Sequence, residues 1–190
     1  SNFRAGVNAG NSIASGGIYN VLVGDEAGTA ITTGDRNVAL GYSALATEDT
    51  ATHNTAVGTF TLATQNAGDV AAYNTGIGHS AGYAVTTGIK NTLVGGLAGD
   101  AFNAANENVA VGYQALTQDL KGHRNVAIGT DSLATQQFGT STNVYNVGVG
   151  YNAGQAITTG INNTLVGGLA GDALTDADNN VAVGEEALST

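Results

Sequence analysis

Three histidines, two adjacent carboxylate pairs and one Asp-x-Asp run are the residues of this chain whose types could do chemistry. A nucleophile activated by a base needs a His beside a Ser or Thr, with an acid to orient it. His53 and His123 stand just ahead of Asn54 and Arg124-Asn125, at neighbouring positions of a repeated pattern. His79 follows Gly78, in a slot that holds Tyr42, Tyr113 and Tyr151 elsewhere. All three read as members of a repeated surface rather than as a catalytic set. If three chains surround a common axis, equivalent histidines could converge on an ion. Asp176-Ala177-Asp178-Asn179-Asn180 is spaced like the start of a calcium loop. The equivalent stretch from Asn103 to Asn108 does not keep the carboxylates, and no bidentate Glu follows at the set distance, so it reads as a solvated turn. Glu185-Glu186 and Asp25-Glu26 are adjacent pairs on opposite strand faces, a poor arrangement for hydrolysing a polysaccharide. No Gly-rich loop opens a helix, and no Lys-Ser/Thr follows one, so phosphate binding is not supported. The chain reads as non-enzymatic, with no cofactor and no metal site.

Recognition is the remaining chemistry. Tyr42, Tyr113 and Tyr151 fall in one column of the repeat. Exposed rings could stack on sugars, or they could pack against a neighbouring coil or chain. Gln136, Gln137 and Phe138 open an inserted loop and form a second candidate contact surface, because loops on rigid scaffolds tend to carry recognition.

The net charge of −10, from 15 acidic and 5 basic residues, argues against nucleic acid and anionic membranes as partners. No apolar run approaches the length of a membrane span, so no membrane insertion is expected. Only 11% of residues are charged, and there is no Cys, Pro, Met or Trp. Lacking Met, the chain is expected to be a processed product or a piece of something longer. A surface poor in charge and rich in Gly, Ala, Asn and Thr suits a fibre or an extracellular scaffold.

The element that must position all of these residues is a repeat. Asn20, Asn37, Asn54, Asn74, Asn91, Asn108, Asn125, Asn146, Asn163 and Asn180 recur at steps of 17, 17, 20, 17, 17, 17, 21, 17 and 17, each followed four residues later by Gly. A fixed step of this size is the mark of a solenoid. With Asn as position 0, position 1 is Val or Thr, position 3 is always a branched aliphatic, and Gly at position 4 ends the run. This predicts one short β-strand per coil. A second strand is predicted around position 7, where Ala dominates. Positions 1 and 3 share one face and position 2 the other. Position 2 is also apolar and mostly small (Ala39, Ala56, Gly76, Ala110, Ala127, Gly148, Ala182), so the strand is expected to be buried on both faces, with another copy covering the small column. The Asn side chains are expected to stack into a hydrogen-bonded ladder. The two long steps predict loops bulging at residues 66–72 and 137–143. Residues 1–18 lack the apolar register and read as an irregular lead-in to a repeat region at 19–190, whose last coil looks cut off rather than capped. A longer repeat is superposed, Tyr73 to Gly99 matching Tyr145 to Gly171.

Asn-Val-Ala-Val-Gly-Tyr-Gln-Ala-Leu (Asn108 to Leu116) and Asn-Val-Ala-Ile-Gly (Asn125 to Gly129) resemble the YadA-like head repeat of trimeric autotransporter adhesins. They resemble more closely the Asn-Thr-Ala-Val-Gly-Tyr-x-Ala-Leu arrays of phage tail-fibre proteins. The resemblance covers residues 20–188. It implies an all-β, left-handed parallel β-roll of about ten coils, built as a homotrimer on the outside of a virion or a bacterium. The expected role is a structural and adhesive one, contacting a host cell-surface receptor or glycan. The adhesin head usually has a shorter step and Ser after Asn, which favours the phage-type array. The abrupt end fits tail fibres that lose a self-cleaving chaperone domain. Two other readings are a solitary ice- or glycan-binding solenoid and an enzyme acting on surface polysaccharide. A flat Thr array for ice is broken by Val, since position 1 is Thr only at Thr55, Thr75, Thr92 and Thr164.

Overall fold

A computed structural model describes residues 1–189; Thr190, the end of the repeat region as read from sequence, lies outside the described residues. These residues form a parallel β-solenoid without helix. Each coil contributes one three-residue strand, from Phe3–Ala5 and Val21–Val23 at one end to Thr164–Val166 and Val181–Val183 at the other. These strands form an 11-stranded parallel sheet in chain order, and Gly122–His123 pairs with Thr142–Asn143 of the second insertion in a separate two-stranded parallel sheet. Its register pairs like positions, Val21 with Val38, Leu22 with Ala39 and Val23 with Leu40. Eleven strands at roughly 4.8 Å make a rod of about 50 Å.

The lead-in is corrected. Phe3–Ala5 pairs in register with Val21–Val23, so Asn2 opens an eleventh coil one 18-residue step before Asn20. Its register was hidden because Arg4 occupies position 2 and Ala5 position 3. Arg4 bends back instead, its guanidinium donating to the Gly10 carbonyl at 2.9 Å.

No second strand forms around position 7 among the described residues. The chain turns at the position-4 glycines, whose φ angles lie between +124° and +141°. Residues with side chains then adopt left-handed backbone at positions 6 and 8, as at Ser43 and Leu45 or Gln114 and Leu116. Tight turns result, with Ala44 N–H bonded to the Gly41 carbonyl. Side chains at positions 2, 7, 8 and 11 fill the interior.

Position 2 therefore faces inward, not toward a covering copy, and its small residues have an internal reason. Where position 2 is Leu, position 8 is Gly: a Cβ on Gly28 would lie 2.7 Å from Leu22, and one on Gly171 2.7 Å from Leu165. Where position 2 is Ala, position 8 is Leu, as in Ala39 with Leu45 and Ala110 with Leu116, all fully buried. Each of these levels so carries one large side chain and one small, which holds the core volume constant. At Gly76 and Gly148, where position 8 is Gly too, the space is filled from the coil before, by Thr61 with Leu62 and by Ser132 with Leu133.

The outward face is the one made by positions 1 and 3. Leu40, Ile77 and Ile128 are exposed on it, and no element among the described residues covers it.

The Asn ladder is continuous. Each Asn N–H bonds the Oδ1 of the Asn one coil earlier, from Asn20 to Asn2 at 2.9 Å through Asn180 to Asn163 at 2.9 Å. Most Nδ2 groups donate to the carbonyl 14 residues on, such as Asn37 to Ala51 at 3.0 Å and Asn108 to Gly122 at 2.9 Å. The insertions displace that carbonyl in two coils. Asn125 Nδ2 turns to Asn108 Oδ1, and Asn54 Nδ2 is left buried without a partner.

Position 11 is aliphatic or aromatic (Ile31, Val85, Phe102, Ile157) except at the coils flanking the insertions, where it holds Glu48, Gln65, Asp119 and Gln136, all fully buried. Glu48 Oε1 accepts the N–H groups of Asp49 and Ala51. Asp119 accepts those of Gly122 and Phe138 and the amide of Gln136 at 2.6 Å. Burial raises the pKa of both acids above the ordinary 4.5 of Glu and 3.8 of Asp, outweighing the bonds that favour the charge. The folded state thus keeps a proton that the unfolded chain has already released. The stability this gives is full below the ordinary pKa and is lost as pH rises through the raised one. His123 works in the opposite sense, because burial lowers its pKa. Comparing the chain with its Glu48→Gln variant cancels that opposing effect. The native sequence should gain stability relative to the variant, in urea midpoint, as pH falls from about 7 toward 4.5. A difference that stays flat over this range would remove the buried acid from the explanation.

Candidate contact surface

Two corners flank the outward sheet face. The first is the residue before each Asn, position −1. It takes left-handed backbone in every coil from Tyr19 to Asn179, though none of these residues is Gly. Such a conformation costs roughly 1–2 kcal/mol for a residue with a Cβ. Ladder bonds from the same N–H offset it, as from Arg36 to the Ile18 carbonyl and from Arg124 to the Asn106 carbonyl, both at 3.1 Å. The side chains are turned out to solvent and touch along the rod. Arg36 lies 5.6 Å from the Tyr19 ring centre, His53 stacks 4.9 Å from Tyr73, and Arg124 lies 5.7 Å from Tyr145. Arg124 pairs with Glu107 at 2.8 Å, and Lys90 reaches the same carboxylate at 3.8 Å. Bonding to Arg124 holds the Glu107 carboxyl below its usual range. Three of the chain's 5 basic residues, Arg36, Lys90 and Arg124, stand on this one corner.

The second corner is formed by positions 5 and 6, beyond the other end of the strand. Tyr42, Tyr113 and Tyr151 are exposed there. Tyr42, Phe60, His79 and Tyr83 form an aromatic cluster around Phe60, with ring centres 5.2 Å (Tyr42), 6.3 Å (Tyr83) and 6.5 Å (His79) away. Tyr113 and Tyr151 stand outside it. This corner also carries Asp25, Glu26, Asp131, Glu185 and Glu186.

The inserted loop divides differently from its sequence reading. Gln137 is exposed, but Gln136 is fully buried and Phe138 is 8% exposed, so these two cannot form an outer contact. Gln136 is held inside by Asp119 and by Asn146, whose Nδ2 donates to its Oε1 at 2.9 Å. The exposed tip is Gly139, Thr140 and Ser141.

Several of the chemically suggestive residues of the sequence are occupied structurally. His123 Nδ1 accepts the Asn106 N–H at 3.0 Å, and its Nε2 meets Ser141 Oγ at 2.6 Å. Asp178 accepts the Ile161 N–H, as Asp35 accepts that of Ile18 and Asn106 that of Ile89. These residues share position −2, so a second side-chain ladder runs beside the Asn column. Signals for it were present in the polar residues at that position, but the aliphatic Ile18, Ile89 and Ile161 between them masked it. His53, His79 and His123 lie in separate environments. Among the described residues there is no concave pocket and no grouping of three or more His, Cys, Asp or Glu set to hold a metal. What the arrangement offers is a two-column face, aliphatic at position 3 and Val or Thr at position 1 from Asn20 onward, bounded by a basic-aromatic corner and an acidic-aromatic one. Comparison with protein-family models, with curated proteins and with solved structures found no match to this chain.

Proposed function

We propose that this chain is a non-enzymatic structural and adhesive segment, one of three copies in an extracellular fibre. A phage tail fibre or similar virion appendage, touching the host through exposed corners and loops, is the form that fits best. The observation that carries this reading is the uncovered outer sheet face. A solenoid that works alone in water presents polar residues there, whereas this one presents Val, Ile or Leu at position 3 of every coil from Asn20 onward. Three copies with these faces turned to a common axis would bury the columns. The 17-residue step and the Val or Thr after Asn support the phage-type array. The mechanism is geometric: continuous ladders give a stiff spacer, and the host is met by what the spacer displays. Turning the face polar at mid-rod tests the reading. Val94→Lys with Val111→Lys should release 18.8 kDa monomers that keep their β-type circular dichroism. An assembly that survives both lysines would show that this face is not what holds the copies together.

A further inference from the structure

At several levels the two corners of a coil carry residues that complement one another, yet they do not meet within the chain. Position −1 and positions 5 and 6 lie beyond opposite ends of the same strand, roughly 20 Å apart at 3.3 Å per residue. At one level the corners hold Arg124 and Asp131, at another Arg36 and Tyr42, and at a third His53 and Phe60. Tyr145 shares its level with Tyr151. Where one corner is the short Asn162, the other is the bare Gly168. Lys90, level with Gly96 and Leu97, has no such counterpart. Asp131 makes no ion pair among the described residues.

We infer that the partner fitted by each corner is the opposite corner of a second copy, lying parallel and in the same register. This rests on the assembly proposed above and adds its direction, its edge pairing and its level. Rotation about an axis along the rod brings the −1 corner of one copy against the 5/6 corner of the next, a head-to-tail contact that closes into a ring. In-register copies then place Arg124 beside Asp131, a guanidinium over the Tyr42 ring, and aromatic rings against each other at the His53 and Tyr145 levels. A two-fold axis along the strands would instead set the −1 corner against itself in reversed order. That would bring the corner holding Arg36, Lys90 and Arg124 face to face with its own copy, where like charges oppose association.

The chain has no cysteine, so introduced thiols report directly. Asn162→Cys with Gly168→Cys tests the pairing without removing any of the charged or aromatic matched residues. A Cβ at Gly168 meets nothing within 4 Å and needs no positive φ. A short bis-maleimide cannot span the two sites within one chain. On the native assembly it should give covalent rings containing the full number of chains. Neighbouring thiols act as though at millimolar concentration, so the yield should exceed that of either single variant or of Asn162→Cys with Thr130→Cys, two levels away, by about tenfold or more. Dimers from Asn162→Cys alone would mean that the corner meets itself, and would overturn the inference. Preferential linking of the offset pair, or no linking at all while light scattering reports an oligomer, would overturn it too and leave the assembly standing. A monomer by light scattering would instead remove the assembly on which it rests.

Discussion

Replacing Gly112 by Ala should cost on the order of 4 kcal/mol, near the upper end for a point substitution. Two effects add. Its φ of +141° belongs to a backbone region essentially reserved for Gly. A Cβ there would also run into the carbonyl of Gly129 in the next coil. Their relative sizes can be separated along the same column. Gly184 has a φ of +124° but nothing within 4 Å, so Gly184→Ala should show only the conformational cost, about 1–3 kcal/mol. Gly168→Ala, with neither penalty, should stay within about 0.5 kcal/mol. Urea midpoints at one chain concentration give this ranking, and equal costs at Gly112 and Gly184 would mean that coil-to-coil contact is not what fixes the column.

Asn91→Ala should be nearly as damaging, at about 3–5 kcal/mol, because two buried backbone groups lose their partners. Asn91 Oδ1 accepts the Asn108 N–H at 3.1 Å, and its Nδ2 donates to the Ala105 carbonyl at 2.8 Å. Neither group can reach water from inside the rod. The last rung is different. Asn180 is only partly buried, with its Nδ2 shared between Asn163 and Asp178, so Asn180→Ala should cost about 1 kcal/mol. Similar losses at both positions would contradict a ladder whose strength comes from burial on both sides.

Much of this architecture was legible in the residues. The Asn and Gly columns gave the coils, their strands and the ladder, because a repeated side chain on a parallel stack can only meet its own kind. What escaped reading was what a single position does not reveal. Ala39 and Leu45 trade volume with each other, six residues apart, so Ala at position 2 looked like a surface for close approach when it is half of an internal pair. The first coil hid behind Arg4. The left-handed corners at Tyr19, His53 and Lys90 carry no Gly to announce them; inter-coil hydrogen bonds hold them there. Gln136 and Phe138 sat in a loop by spacing, yet Asp119 draws both inward through its carboxylate. Polar residues marking recognition and polar residues anchoring a loop have the same composition, and only their burial tells them apart.

If other copies of the chain cover the outward apolar face, the native mass in solution reports it. Light scattering on the eluting protein should give about three times the chain mass of 18.8 kDa, independent of concentration over the micromolar range. A monodisperse 18.8 kDa species would contradict such covering, because the face would then stand bare in water. The chain would have to be read as a solitary solenoid that offers that face to some other ligand.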